Sequence, residues 1–130
     1  MFVLSFLYPR PTSRAFDYDY HRDFHMALGI ALTKEHLGVI PEKTIIERID
    51  EFNPQSTERY AAIGHVLFSR EDDRNKFETL FENEDAARQL TDDWNNYTDT
   101  PPEVRISRWT FDDDMQALVD RSNNTGCQQD

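Results

Sequence analysis

Two short runs, Phe2 to Tyr8 and Tyr60 to Phe68, carry apolar side chains at odd and even positions alike. Successive residues of a strand point to opposite faces, so strands like these cannot belong to a sheet with one face in water. In the first run Phe2, Leu4, Phe6 and Tyr8 point one way while Val3 and Leu7 point the other. In the second, Ala61, Ile63, His65 and Leu67 oppose Ala62, Val66 and Phe68. The fold must cover a sheet on both sides.

Pro9-Arg10-Pro11-Thr12-Ser13 ends the first strand in a loop. A helix begins at about Asp17, which can cap it, and Asp19 adds negative charge where the macrodipole favours it. It reaches Leu37, because Gly38 can terminate it and Pro41 forbids continuation. Lys43 to Phe52, rich in isoleucine, read as a second strand, and Asn53-Pro54-Gln55-Ser56 as a turn. Tyr60 to Phe68 follow closely enough for an antiparallel hairpin. Ser69 caps a second helix whose first turn, Arg70-Glu71-Asp72-Asp73, is mostly acidic. Phe77, Leu80, Phe81, Ala87, Leu90 and Trp94 form its buried stripe. Asn95 to Pro102 break that helix, and Val104 to Phe111 make a fourth strand. Met115 to Val119 add one helical turn, and Asn123 to Asp130 fray.

The order β-α-β-β-α-β is the ferredoxin-like arrangement, an α+β fold with two helices on one face of a four-stranded antiparallel sheet. Residues 1–111 make that domain, and 112–130 a C-terminal extension, partly helical and then frayed. Two helices cover only one face. The expectation for the other is a second copy of the chain, sheet against sheet, in a symmetric homodimer that encloses a cavity or core.

At 130 residues the chain is one domain, able to bury roughly two-thirds of its unfolded surface. Its net charge of -11 argues against nucleic acid and against anionic membrane surfaces, both of which need a basic footprint. No apolar run spans a bilayer, and Met1 to Tyr8 lack the basic leader and cleavage site of a signal peptide. The single cysteine, Cys127, excludes a disulfide framework and a cysteine-based metal site. A cytoplasmic protein is the expectation. With no glycine-rich nucleotide loop and no cysteine cluster, no cofactor is expected.

Tyr8-Pro9, then Phe16-Asp17-Tyr18-Asp19-Tyr20 leading to His25-Met26, the Tyr60 to Phe68 strand, and Asn96-Tyr97-Thr98-Asp99 before the last strand resemble the EthD family in order and spacing. The match covers about Phe2 to Trp109. The resemblance implies the dimeric α+β barrel fold, in which the barrel or the cleft beside each sheet holds small aromatic or polyketide-derived molecules. It implies company with cofactor-free cyclases, isomerases, decarboxylases and monooxygenases. Ala27 stands where the family often has proline after the His-Met pair, and residues 112–130 extend past the likeness.

Chemistry concentrates on the first helix. Tyr20, Phe24 and Leu28 recur every four residues as an apolar stripe, with Asp17, His21 and His25 as a polar ladder beside it. His25 matches the family's helical histidine. Desolvation beside the stripe would hold it neutral, suited to general base or acid work on a phenol or an acidic C–H. A core-edge histidine bonded to a backbone carbonyl is the plainer reading. Asp17 can cap the helix or orient His21, and His21 is expected in solvent. His21 and His25 have the spacing of zinc ligands, but Arg22 lies between them and a third ligand has no source except His65, so no metal is expected.

His65 is either a structural histidine in a buried strand or a cavity group that shares acid and base roles with His25. Tyr97 could donate a hydrogen bond to a substrate oxyanion, while Asn96 and Asp99 suit a turn. Tyr8, Tyr20, Phe24, Asn96 and Trp109 are the expected binding residues around a planar ligand, and the same aromatics suit a core. Arg108 could meet a carboxylate, and Asp112-Asp113-Asp114 read as a solvated helix start. The functional expectation is a cofactor-free enzyme doing cyclisation, isomerisation, dehydration or decarboxylation on a small aromatic or polyketide-like molecule. The alternatives are an oxygenase or oxidoreductase component, a non-catalytic binder of a hydrophobic metabolite, and a dimer whose barrel is filled by side chains.

Overall fold

The computed structural model describes residues 1–50, 57–110 and 114–129, with the side chains of 125–129 left aside. The elements run β1 (Phe2–Pro9), α1 (Tyr18–Tyr20, then a π-helical turn His21–His25, then Met26–Leu37), β2 (Lys43–Arg48) and β3 (Tyr60–Phe68). After them come α2 (Glu71–Glu78), a 3₁₀ turn (Thr79–Glu82), α3 (Glu84–Trp94), β4 (Glu103–Arg108) and α4 (Met115–Gln129). The strands form one antiparallel sheet in the order β2-β3-β1-β4. This is the ferredoxin-like topology that the sequence predicts. No helix among the described residues is long and apolar enough to cross a membrane.

Register decides what each face carries. Leu4 lies opposite Val66 and Ile106, and Ser5 opposite His65 and Arg105. On the first face Leu4, Val66 and Phe68 pack with Leu32 of α1, Phe77 of α2, Leu80, and Ala86 and Leu90 of α3 in one core. Burying each of the larger of these side chains (leucine, valine or phenylalanine) stabilises by about 1.5–3 kcal/mol. On the second face Val3, Ser5, Leu7, Ile63, His65 and Leu67 are already buried within the single chain, and Trp109 lies edge-on to His65 with ring centroids 5.6 Å apart. The apolar pressure that called for a second copy is largely relieved. Ile45 and Trp109 remain more than a third exposed there.

Several local expectations change. β2 ends at Arg48, and Phe52 and the turn Asn53-Pro54-Gln55-Ser56 lie outside the described residues. β4 ends at Arg108, while Phe111, Asp112 and Asp113 also lie outside them. Arg70, not Ser69, occupies the N-cap of α2 and makes no side-chain cap bond. The long second helix is interrupted at Asn83, whose side chain accepts from the Ala86 amide at 2.9 Å and starts α3 afresh. That restart buries Ala86 rather than Ala87 and leaves Phe81 more than a third exposed. The C-terminal segment is one helix through Gln129 instead of a single turn, and Asp114 caps it by accepting from the Ala117 amide.

Helix α1 starts and stops where expected. Asp17 Oδ1 accepts from the Tyr20 amide at 3.0 Å, and Gly38 closes the helix at φ 65°, a conformation only glycine adopts freely. Between them the π-helical turn uses five residues where an α turn uses four, the Met26 amide bonding back to His21 O. A four-residue interval therefore no longer selects one face. His21 and His25 turn inward, and Phe24 stands 62% exposed with its ring stacked on Tyr20.

Candidate functional site

The inward turn of α1 places both imidazoles among the aromatics of the second core: Tyr8 from β1, Phe16 from the loop before α1, and Tyr97 after α3. His21 and His25 stack with centroids 5.8 Å apart and 20° between planes, and the Tyr97 ring lies 5.1 Å and 4.7 Å from them. His25 Nδ1 is 2.9 Å from Asp93 Oδ2 on the last turn of α3. Asp93 Oδ1 accepts from the Tyr20 hydroxyl at 2.6 Å and from Asn96 Nδ2 at 2.9 Å. Burial works to raise the Asp93 carboxyl, yet the donors Tyr20, Asn96 and His25 outweigh it and hold its pKa below the usual value. Asp93 is thus an acceptor, so His25 Nδ1 carries the proton and Nε2 keeps its lone pair. Burial lowers the His25 pKa, opposed by its bond to Asp93. The ring is neutral at pH 7.

Tyr97 is fully buried and donates its hydroxyl to Tyr8 Oη at 3.1 Å, which leaves the Tyr8 proton for another acceptor. Burial raises both phenols, so neither ionises near neutrality. The segment carrying Tyr97 is tied to the loop before α1. Arg14 donates to Asn95 O and Asn96 O, the Asp17 amide donates to Tyr97 O, and Asp99 accepts from the amides and hydroxyls of Thr12 and Ser13. The hydrogen bonds of Ser13 hold the Asp99 carboxyl well below the usual range.

Between the sheet and helices α1 and α3 lies a narrow crevice. Tyr8, His25 and Trp94 line one end, and Met26, Ile30, Val66, Phe77 and Leu90 are among its apolar walls. Its interior is about 50 Å³, room for on the order of four waters or one slender group. The structure thus brings His25 and Tyr8 together at one apolar slot, with Tyr97, Tyr20 and Asn96 behind them holding Tyr8 and Asp93.

The other expected site residues fall elsewhere. His65 and Trp109 sit on the opposite face of the sheet, because His65 shares parity with Ser5 and Leu7 while Tyr8 faces the helices. His65 bonds Ser5 Oγ at 2.7 Å and Glu47 at 3.2 Å, across the sheet from His25. Phe24 points to solvent and does not line the slot. His21, expected in solvent, is wholly buried, and neither ring nitrogen has a hydrogen-bond partner among the described residues. Desolvation, with the His25 charge adding to it, lowers the His21 pKa to about 4. Arg108 meets Glu71 at 3.4 Å and covers the Phe2 ring. Asp93 was missed from the sequence. Its one signal is a carboxylate on the last turn of a helix, where the macrodipole is unfavourable and hydrogen-bond donors must hold it.

No protein-family profile matches this chain, and no curated protein matches it in sequence. Solved structures do match. An EthD-like protein from Ralstonia eutropha JMP134 superposes with a TM-score of 0.65 at 18% identity, over 86% of this chain and 94% of that one. An ethyl tert-butyl ether D (EthD) family protein from Bacillus halodurans C-125 superposes with a TM-score of 0.51 at 16% identity, over 85% of this chain and all of that one. The class that fold and topology define is the ferredoxin-like α+β domain. Within it, this chain has the EthD-like fold, in agreement with the resemblance in its motifs.

Proposed function

We propose that the chain is an EthD-type protein that transfers a proton on a small phenol or enolisable carbonyl compound bound in the slot. His25 Nε2 takes the proton from the ligand's O–H or acidic C–H. The electron pair left behind moves onto the ligand oxygen, which accepts the Tyr8 hydroxyl proton in a hydrogen bond. Returning the proton from His25 to a different carbon gives isomerisation, and giving it to a hydroxyl group whose C–O bond breaks, so that it leaves as water, gives dehydration. Asp93 orients His25 and stabilises the imidazolium that forms, while Tyr97 positions Tyr8. The observation that carries this reading is the 2.9 Å His25–Asp93 pair set at the polar end of an apolar slot. Titrating the protein and His25→Ala with phenol and small alkylphenols tests it. Binding should weaken in the variant, and unchanged binding would remove the assignment.

The apolar walls favour a second reading, a carrier of a hydrophobic metabolite with no turnover. It predicts that affinity follows apolar area and is indifferent to His25. A homodimer through the second sheet face belongs to the proposal on a narrow footing, the exposed Ile45 and Trp109. Sedimentation at micromolar concentration that shows monomer alone would remove it.

A further inference from the structure

A second recess opens on the far side of Phe16, where the loop before α1 meets the end of β2. It is lined by Arg10, Arg14, Arg48, Phe16, Ile49 and Asp50, with Tyr18 at its floor, and measures about 390 Å³. That is within the range of small-molecule pockets and far roomier than the slot beside His25. In a chain of net charge -11, Arg14 and Arg48 face this recess with Asp50 as the carboxylate among its described lining residues.

The arginines differ in what they have left to give. Arg14 spends its terminal nitrogens on Asn95 O and Asn96 O and has no ion-pair partner among the described residues. The Arg48 guanidinium sits over the Tyr18 ring, its Cζ 4.3 Å from the centroid. Its Nε forms an ion pair with Asp50 at 3.7 Å, a solvated contact worth little, and its terminal nitrogens have no hydrogen-bond partner among the described residues. Tyr18 is itself anchored by its hydroxyl to Ala61 O at 3.0 Å and by its ring to Phe16. A guanidinium over a ring face keeps its paired N–H edge available to a carboxylate. Asp17 and Asp19 border the adjoining hollow, but Asp17 caps α1 and Asp19 lies 3.4 Å from Arg22.

We propose that this recess binds a small organic carboxylate, its charge on Arg48 in the field of Arg14 and its apolar body against Phe16 and Ile49. The overall negative charge of the chain and the apolar floor disfavour polyanions such as nucleotides. The test uses benzoate as probe, followed by NMR of the Tyr18 and Phe16 ring signals in the full chain. Benzoate should shift them saturably at about millimolar concentration, while uncharged benzyl alcohol and inorganic phosphate bind about tenfold more weakly or worse. Arg48→Gln, on a side chain 67% exposed and thus expected to fold, should weaken benzoate about tenfold, and His25→Ala should leave it unchanged. Absence of a saturable shift, benzoate affinity unaltered in Arg48→Gln, or phosphate binding as well as benzoate would each overturn the proposal.

Discussion

At the scale of single residues, the proposed proton transfer gives His25, Asp93 and Tyr8 the roles of base, orienter and donor. In the proposed reaction His25 is the base, and its replacement by alanine should lower turnover by about 10²- to 10⁴-fold. Asp93 fixes which nitrogen carries the proton. Asp93→Asn removes the carboxylate that supports the imidazolium, so the His25 pKa falls further and turnover drops without loss of fold. The acid limb of the pH–rate profile should lie below the ordinary histidine value of 6.5 in the wild type and lower still in the variant. A limb that rises above it would contradict the buried, neutral ring. Tyr8→Phe deletes the proposed donor to the ligand and should cost about 10²-fold in kcat. Tyr97→Phe leaves the Tyr8 hydroxyl in place and should cost less. Equal losses in the two would mean that Tyr97, not Tyr8, meets the ligand.

At the scale of elements, β1, β3 and the start and end of α1 are legible because each rests on local chemistry: apolar runs, the Asp17 cap and the Gly38 stop. The π-helical turn is not. Nothing in His21-Arg22-Asp23-Phe24-His25 announces it, and it exchanges the exposure expected for Phe24 and His21. The break at Asn83 was readable in principle, since asparagine three residues before an amide-bearing first turn is a cap. Helical periodicity on either side concealed it. Asn83→Ala should destabilise the protein by about 1 kcal/mol, measured as a shift in the urea midpoint at constant slope. The loop before α1 carries its own test. Asp99→Asn weakens the acceptor of the Thr12 and Ser13 amides, so their hydrogen exchange should accelerate while that of β1 amides stays slow. Unchanged exchange at Thr12 and Ser13 would mean that Arg14 and the Asp17 amide suffice to hold the segment.

At the scale of the whole molecule, the sheet separates two histidine sites that share one chain: His25 among tyrosines beneath the helices, His65 with Ser5 and Glu47 on the other face. Strand parity, read with register, would have placed His65; parity alone lacks the reference of which face the helices cover. The same burial that makes the histidine cluster chemically useful makes the fold sensitive to acid. The unfolded chain protonates His21 near 6.5, whereas the folded chain resists until about 4, because desolvation of a wholly buried ring opposes the charge. The unfolded state therefore binds more protons between these values, and stability rises with pH across that window. It is fully present above 6.5 and lost as the pH falls toward 4, by about 3 kcal/mol if the shift is expressed in full. His25, lowered in the same direction, adds to it. His21→Leu keeps an apolar group of similar size in the site and removes the titration. Urea unfolding at pH 7 and pH 4.5 should show the wild type losing markedly more stability between the two than the variant does, with the remaining carboxylates contributing equally to both. Parallel losses would show that the ring finds a partner or water on protonation, and that the cluster is less dry than its packing indicates.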